Sequence, residues 1–152
     1  MNAIVPERAA LSGLEQLRAV FDPAHPDRAP GIGKTLGFTV LEMEEGRVVF
    51  GGAPDERVYN PLGTVHGGYA ATLLDSAVGC AVHSTLQAGQ GYTTLELKVA
   101  YHRAMTKDTG PVRAEGRVVK AGRRAAFAEG RLTDAQGRLY ATATSTLLVF
   151  DK

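Results

Sequence analysis

The stretch NPLGTVHGGYAATLLD, residues 60–75, contains the residue types of a catalytic centre. Gly67 and Gly68 stand where apolar residues begin to recur at helical spacing, so we expect a helix to begin there. Its first N–H groups have no partner within the helix, and at glycine no side chain stands in the way. Together with the positive end of the helix dipole, these donors suit a carbonyl oxygen that develops negative charge during attack.

Asp75, further along the same helix, offers the second half of such chemistry. A carboxylate can act as the nucleophile or as a general base towards water, and the sequence does not choose between these roles. A helical projection places Asp75 at the margin of the apolar stripe, which predicts partial burial. The alternative is a solvated or hydrogen-bonded surface carboxylate, but the residues upstream lead us to favour catalysis.

Two polar residues before the helix have both a chemical and a structural interpretation. The Asn60 amide could hold the attacking water or the acyl group, or it could cap the turn before Pro61. His66 could hydrogen-bond near the carbonyl, or it could shape the loop. We include both as candidate catalytic residues and give His66 less weight.

The helix that positions these groups is predicted from Gly68 to about His83, because apolar residues recur there at three-four spacing. It is built mostly from Ala, Gly, Ser and Leu, so a sheet could approach its axis closely. Ser12 and Glu15 form a capping-box pattern that predicts a short N-terminal amphipathic helix. The Pro- and Gly-rich residues 22–33 after it are expected to be an irregular connection.

The rest of the chain is typical of β-strands. Residues 36–43 and 47–53 form a predicted hairpin, and residues 93–104 alternate Leu95, Leu97, Val99 and Tyr101 on one expected buried face. Three more runs follow at 112–122, 124–134 and 138–150. Short links make such strands antiparallel neighbours, so we predict an α+β fold with one antiparallel sheet wrapped around the long helix. We expect one domain over residues 1–152, with the N-terminal helix and connection in 1–35 and the core in 36–152.

Two strands, a helix opened by HGG and an antiparallel meander resemble the hotdog fold. Asn60, Gly67 and Asp75 reproduce the pattern N-x6-G-x7-D of phenylacetic-acid-type (PaaI-like) acyl-CoA thioesterases, with His66 before the glycines. The resemblance implies hydrolysis of acyl-CoA thioesters, in which the Gly67 N–H polarises the thioester carbonyl and Asp75 is the acid. It implies no cofactor, since coenzyme A is part of the substrate.

The same resemblance implies a homodimer. Roughly two helical turns separate Gly67 from Asp75, and hotdog thioesterases complete each active site with the helix start of one subunit and the carboxylate of the other. Such dimers often pair, so we expect a tetramer. Related thioesterases of the 4-hydroxybenzoyl-CoA type use Glu at the acidic position and Thr one turn later. This chain has Asp75 and Gly79 there, which favours the PaaI-like branch.

Further site residues are expected outside the helix. Related enzymes place a small hydroxyl residue near the acid, and Thr93 or Thr94 at the start of the following strand fits, with Thr93 marginally preferred. Gly68 and Thr94 are included among the substrate-binding candidates. A basic cluster at a strand connection could meet the CoA phosphates, or could be a solvated turn: Lys120, Arg123 and Arg124. Arg103 and Lys107 form a second, weaker basic candidate.

Composition excludes several other classes of protein. Lys plus Arg numbers 17 against 16 for Asp plus Glu, so no strong field favours nucleic acid or an anionic membrane. No segment is typical of a signal peptide or a membrane span, and we expect a cytoplasmic protein. The single cysteine, Cys80, is interpreted as a packing residue, and the histidine spacing predicts no metal site. GIGKT lacks the first glycine of a phosphate-binding loop, so we treat it as a chance match.

Two alternatives to the thioesterase remain open at this point. Hotdog domains also serve as non-catalytic acyl-CoA-binding modules, although the retained acid argues against that function here. A hotdog hydratase or dehydratase would use a different acid-histidine arrangement and would form an unsaturated or hydroxylated product. Serine and cysteine esterase chemistry is excluded because there is no GxSxG elbow and no suitable cysteine nucleophile.

Overall fold

The computed structural model describes residues 10–29 and 31–152. One long helix is packed against a six-stranded sheet, and two short helices precede them. The helices are α1 (Gly13–Val20), α2 (Ile32–Leu36) and α3 (Gly67–His83). The strands are β1 (Thr39–Glu44), β2 (Arg47–Gly52), β3 (Gln90–Tyr101), β4 (Val112–Ala121), β5 (Ala125–Asp134) and β6 (Leu139–Asp151).

The sheet is antiparallel throughout, in the order β1-β2-β4-β5-β6-β3. The predicted α+β plan and hotdog arrangement are therefore confirmed, and the hairpins β1-β2, β4-β5 and β5-β6 join chain neighbours as expected. β3 differs because it pairs with β6 instead of β4. The segment between β3 and β4 carries the chain across the sheet, so β3 becomes an edge strand.

Helix α3 lies directly on the middle of this sheet, as its small residues predict. Leu73, Leu74 and Val78 are fully buried beneath it. Gly116 and Gly130 are register partners on β4 and β5, and a Cβ added at Gly116 would lie 2.3 Å from the Ala77 carbonyl oxygen. Because a side chain there would meet helix backbone, the close packing of helix on sheet depends on glycine at this point.

A β-bulge changes the face of β3 that contacts the helix. The register with β6 shifts between Thr94 and Glu96, which makes Leu95 the extra residue. Before the bulge Thr94 faces the helix, whereas after it Leu97 and Val99 do. The prediction that Leu95 is buried is wrong: it is 59% exposed. Tyr101, also expected on the buried face, is 55% exposed.

The segment between α1 and β1 contains more regular structure than its composition predicts. The capping box of α1 is confirmed, with Glu15 N–H donating to the Ser12 hydroxyl and the Glu15 carboxylate accepting from Ser12 N–H. The expected irregular connection instead holds a 3₁₀ turn at Pro26–Arg28 and α2. Gly37 ends α2 in the left-handed region at φ 72°, a helix stop that glycine supplies without strain. None of the helices in the described ranges combines the length and apolarity needed to cross a membrane.

Candidate active site

The start of α3 leaves one N–H group open. His66 is the N-cap, and its Nδ1 accepts a hydrogen bond of 2.8 Å from the Gly68 N–H. The N–H of Gly67, the first helical residue, has no hydrogen-bond partner among the described residues. Since Nδ1 of His66 accepts, the neutral ring carries its proton on Nε2, which gives this exposed imidazole an outward donor. The helix start thus presents one free backbone donor.

Tyr101 covers the other side of this helix start. Its hydroxyl donates a hydrogen bond of 2.9 Å to the Gly67 carbonyl oxygen. A Cβ added at Gly67 would lie 3.0 Å from that hydroxyl oxygen, so glycine allows the tyrosine to approach. Tyr101, His66 and Gly67 line a surface groove of about 380 Å³ together with Arg103 and Met105. The free N–H of Gly67 therefore lies beside a groove that can receive a ligand.

Asp75 lies on the side of α3 that faces β3. It is half-buried, as predicted, and its Oδ1 accepts a hydrogen bond of 3.1 Å from the Thr94 hydroxyl. The second carboxylate oxygen has no hydrogen-bond partner among the described residues. One oxygen of Asp75 is thus fixed, while the other remains available to accept a proton or to attack.

The preference for Thr93 beside the acid is wrong, because Thr94 makes this contact and Thr93 is exposed. Thr93 has the same parity as Leu95, Leu97 and Val99, so a regular strand would place it on the same face as those residues. The bulge at Leu95 shifts that alternation by one residue, so the threonines exchange faces.

Asn60 shapes the loop that leads to the helix. Its Oδ1 accepts from the N–H groups of Leu62, at 2.9 Å, and Thr64, at 3.3 Å. Its Nδ2 donates to the Thr64 hydroxyl at 3.0 Å. The turn-capping interpretation of Asn60 is therefore satisfied, and one N–H of the amide remains for a ligand.

The predicted basic cluster lies far from the helix start of its own chain. Lys120, Arg123 and Arg124 are exposed at the β4–β5 hairpin, and no ion pair joins them to the described residues. This end of the sheet carries the C-terminus of α3, which is about 25 Å long at 1.5 Å per residue. Within one subunit, the basic cluster is therefore too far from Gly67 to contact a ligand bound there.

The weaker basic pair lies nearer the helix start. Lys107 is paired with Glu56 at 2.5 Å, whereas the Arg103 guanidinium lies 5.9 Å from the centre of the Tyr140 ring. Of these two cations, only Arg103 lines the groove beside Gly67. Arg103 was only a weak candidate and Tyr101 was not a predicted site residue, because no local sequence pattern shows that the crossing segment returns to α3.

Cys80 is a packing residue, as expected. Burial, with a further contribution from the charge of Asp75, raises the pKa of its thiol to about 12. At neutral pH the nucleophilic thiolate is therefore scarce.

No three His, Cys, Asp or Glu side chains of residues 10–29 and 31–152 lie close enough together to hold a metal ion.

The distance between Gly67 and Asp75 decides how this site can work. Eight residues of α3 separate them, which corresponds to about 12 Å along the helix axis at 1.5 Å per residue. A thioester carbonyl that accepts from the Gly67 N–H is thus out of reach of the same chain's carboxylate. Within one chain, the Gly67 N–H and the Asp75 carboxylate therefore cannot contact the same carbonyl group.

Known proteins are similar to this chain in sequence and in fold. The family model of the thioesterase superfamily matches residues 62–141. The chain is 26% identical to a 1,4-dihydroxy-2-naphthoyl-CoA hydrolase of Listeria monocytogenes, over 80% of this chain and 98% of the relative. It is 28% identical to a phenylacetic acid degradation-related protein of Ralstonia eutropha, with a TM-score of 0.73 over 85% of this chain and 98% of that one.

A third relative was solved with a ligand. A Streptococcus mutans protein bound to acetyl-CoA is 28% identical, with a TM-score of 0.69 over 76% of this chain and 90% of that one. The family match covers more than half of the chain, including all of α3 with Asp75 and the strands β3, β4 and β5. The chain therefore belongs to the thioesterase superfamily, as a hotdog-fold member whose relatives include PaaI-like proteins.

Proposed function

We propose that this protein hydrolyses acyl-CoA thioesters to the free acid and coenzyme A. One observation carries the proposal: α3 has an N–H without a hydrogen-bond partner at Gly67 and a carboxylate with one unpartnered oxygen at Asp75. These are the donor and the base or nucleophile that thioester hydrolysis requires. The relatives named for a CoA thioester hydrolase and solved with acetyl-CoA support a CoA substrate.

In the general-base route, Asp75 takes a proton from water while the water oxygen attacks the thioester carbon. The carbonyl oxygen becomes an oxyanion that accepts a hydrogen bond from the Gly67 N–H. The intermediate collapses, the C–S bond breaks, and the CoA thiolate leaves and takes up a proton. In the nucleophilic route, Asp75 attacks first, thiolate leaves, and water hydrolyses the resulting anhydride. Single turnover in ¹⁸O-labelled water tests the nucleophilic route, since label enters Asp75 only when water attacks an anhydride at the Asp75 carbonyl carbon.

The active site is completed by a second copy of the chain, in a C2 homodimer with two equivalent sites. The separation of Gly67 from Asp75 supports this arrangement, and so does the position of the acid. Asp75 is bound to Thr94 on β3, the edge strand whose outer backbone groups are unpaired within the sheet. A second subunit that pairs along this edge of the sheet therefore lies close to the Asp75 carboxylate.

The same symmetry supports a role for the basic cluster. A two-fold axis between the two β3 edges makes the strands antiparallel, and hence also the two α3 helices. The start of the partner's helix then lies towards the C-terminal end of α3, which is the end that carries Lys120, Arg123 and Arg124. We propose that these cations meet the CoA phosphates of the partner's substrate.

We further propose that two dimers pair into a tetramer. Three large apolar side chains support this step, because they are exposed on the outer face of the sheet, away from α3. They are Val119, Phe127 and Phe150, which are 65%, 44% and 42% exposed. Large apolar side chains exposed on one face of a sheet are candidates for a protein interface. The molar mass in solution tests this proposal.

Replacement of Asp75 by Asn tests the proposed reaction. The amide keeps the shape and the Thr94 contact but can neither attack nor accept a proton, so thiol release from a panel of aryl, short-chain and medium-chain acyl-CoA substrates should fall at least about 1,000-fold. Asp151→Asn makes the same chemical change at an exposed position of β6 and should retain full activity. Circular dichroism and molar mass should match the wild type for both variants.

Near-normal turnover by the Asp75→Asn protein would disprove the assigned role of this residue. A wild-type protein that binds acyl-CoA without release of thiol would instead favour a non-catalytic binding module. An unsaturated or hydroxylated acyl product would favour the hydratase or dehydratase alternative.

A further inference from the structure

Tyr92 carries a second hydroxyl on the stretch of β3 that faces α3 near Asp75. It stands two residues before Thr94 on β3, so both side chains point to the same face, towards α3. Its hydroxyl lies over Gly79: a Cβ added at Gly79 would be 2.8 Å from the Tyr92 hydroxyl oxygen. Glycine inside a helix is unfavourable relative to alanine, yet the buried Gly79 leaves the space that the phenol occupies.

Gly79 lies one helical turn beyond Asp75, a rise of about 6 Å along α3. Tyr92 and Thr94 are likewise about 7 Å apart along β3. The two elements therefore run side by side, with Thr94 against Asp75 and Tyr92 one step further on. The Tyr92 hydroxyl lies 2.8 Å from the Cβ position of Gly79, and Cβ positions four residues apart on a helix are about 5–6 Å from each other. A single water that makes two hydrogen bonds of about 2.8 Å bridges polar atoms up to about 5.6 Å apart, which fits this spacing.

The phenol is in the right state to bind such a water. Burial raises the pKa of the Tyr92 hydroxyl, and the charges of Cys80 and Asp75 raise it further, so at neutral pH it remains protonated and can donate. It has no hydrogen-bond partner among the described residues. The Tyr92 hydroxyl is also accessible to solvent. In the described part of the chain, the Tyr69 hydroxyl is the only fully buried side-chain polar atom without a hydrogen-bond partner, so the unpartnered Tyr92 hydroxyl is not fully buried. The ring is held by an edge contact with His83, with ring centres 5.6 Å apart.

We propose that Tyr92 is a positioning residue that donates a hydrogen bond to the attacking water and holds it against the free oxygen of Asp75. This inference rests on the proposed thioesterase function. It applies to the general-base route, in which the free oxygen of Asp75 takes the proton of this water. Thr94 fixes the carboxylate and Tyr92 fixes the water.

Tyr92→Phe tests the inference because it removes only the hydroxyl. We expect kcat for acyl-CoA hydrolysis to fall about tenfold, the effect of one lost hydrogen bond, while KM changes less than about twofold. The thermal midpoint should not fall. Tyr69→Phe is the matched control on α3: it removes a buried hydroxyl that has no partner and should leave kcat unchanged.

Gly79→Ala provides a second, independent test. Its new Cβ displaces the phenol from its place over the helix, so kcat should fall although the hydroxyl is still present. In the Tyr92→Phe background the same change should add little, because the hydroxyl is already gone. Such non-additive losses in kcat are expected when Gly79 acts only through the Tyr92 hydroxyl, and not when the two changes are independent packing defects.

Wild-type-like kcat in Tyr92→Phe, a loss confined to KM, or fully additive losses in the double variant would each overturn this inference while the thioesterase assignment stands. A wild-type protein that releases no thiol from any acyl-CoA would overturn the proposed function, and this inference with it.

Discussion

At the scale of single residues, the proposed chemistry depends on one backbone N–H. Gly67→Pro deletes that donor, and the helix should tolerate the change because the first helical position favours proline and has no N–H partner to lose. His66, at φ −60° and ψ 136°, already has the extended conformation that a following proline requires. We expect kcat to fall by a factor of about 100 to 1,000, the usual effect of one lost oxyanion donor.

Gly67→Ala is the matched control for that variant. It introduces the same Cβ against the flexible, exposed Tyr101 ring but keeps the N–H. Steady-state kinetics of the two proteins therefore separate the effect of the added Cβ from the effect of replacing the N–H with the proline ring. Equal kcat values in the proline and alanine proteins would show that the Gly67 N–H takes no part in the reaction.

The placement of Gly67, His66 and Asp75 could be predicted from sequence because each depends on local helix geometry. A cap, a free N–H and a position on a helical face follow from spacing along one element. Thr94 and Tyr92 could not be predicted in the same way. Which strand face meets the helix depends on a bulge at Leu95, and the bulge follows from pairing with β6, some 50 residues later in the chain.

At the scale of elements, the sheet and the long helix were predictable because each strand alternates and α3 has a clear apolar stripe. Helix α2 was not, because its five residues are too few to show periodicity and lie in a Pro- and Gly-rich segment. The edge position of β3 was also missed. Short links identify neighbours in a sheet, whereas a longer connection such as 102–111 leaves the strand order open.

The contact between α3 and β4 depends on the absence of a side chain at Gly116. Gly116→Ala places a Cβ 2.3 Å from the Ala77 carbonyl oxygen and 2.6 Å from the Val78 nitrogen, so the helix or the strand must move. Because the clash is with backbone, we expect a loss of about 3 kcal/mol in the free energy of unfolding, at the upper end for overpacking. The thermal midpoint should fall by roughly 6–10 °C.

Gly33→Ala in α2 is the control for this change. The nearest atom to its new Cβ is 3.9 Å away, so alanine fits there and should be neutral or slightly stabilising. Urea unfolding of both variants measures the difference. A Gly116→Ala protein as stable as the wild type would mean that α3 does not lie on β4 as closely as described.

At the scale of the whole molecule, the question is whether one chain can turn over a substrate. About 12 Å of helix separates the donor from the acid, and this distance cannot change while α3 is intact. We therefore expect Gly67→Pro and Asp75→Asn to damage different halves of each shared site. Each variant alone should be inactive, because both sites of the proposed homodimer carry the same defect.

Co-expression of the two variants in equal amounts tests this directly. Half of the dimers are then mixed, and each mixed dimer holds one doubly damaged site and one intact site, so about a quarter of wild-type activity should return. This fraction holds even if dimers pair into tetramers, since each site lies within one dimer. If the donor and the acid of one site came from the same chain, mixing would restore nothing, because neither variant chain contains both groups.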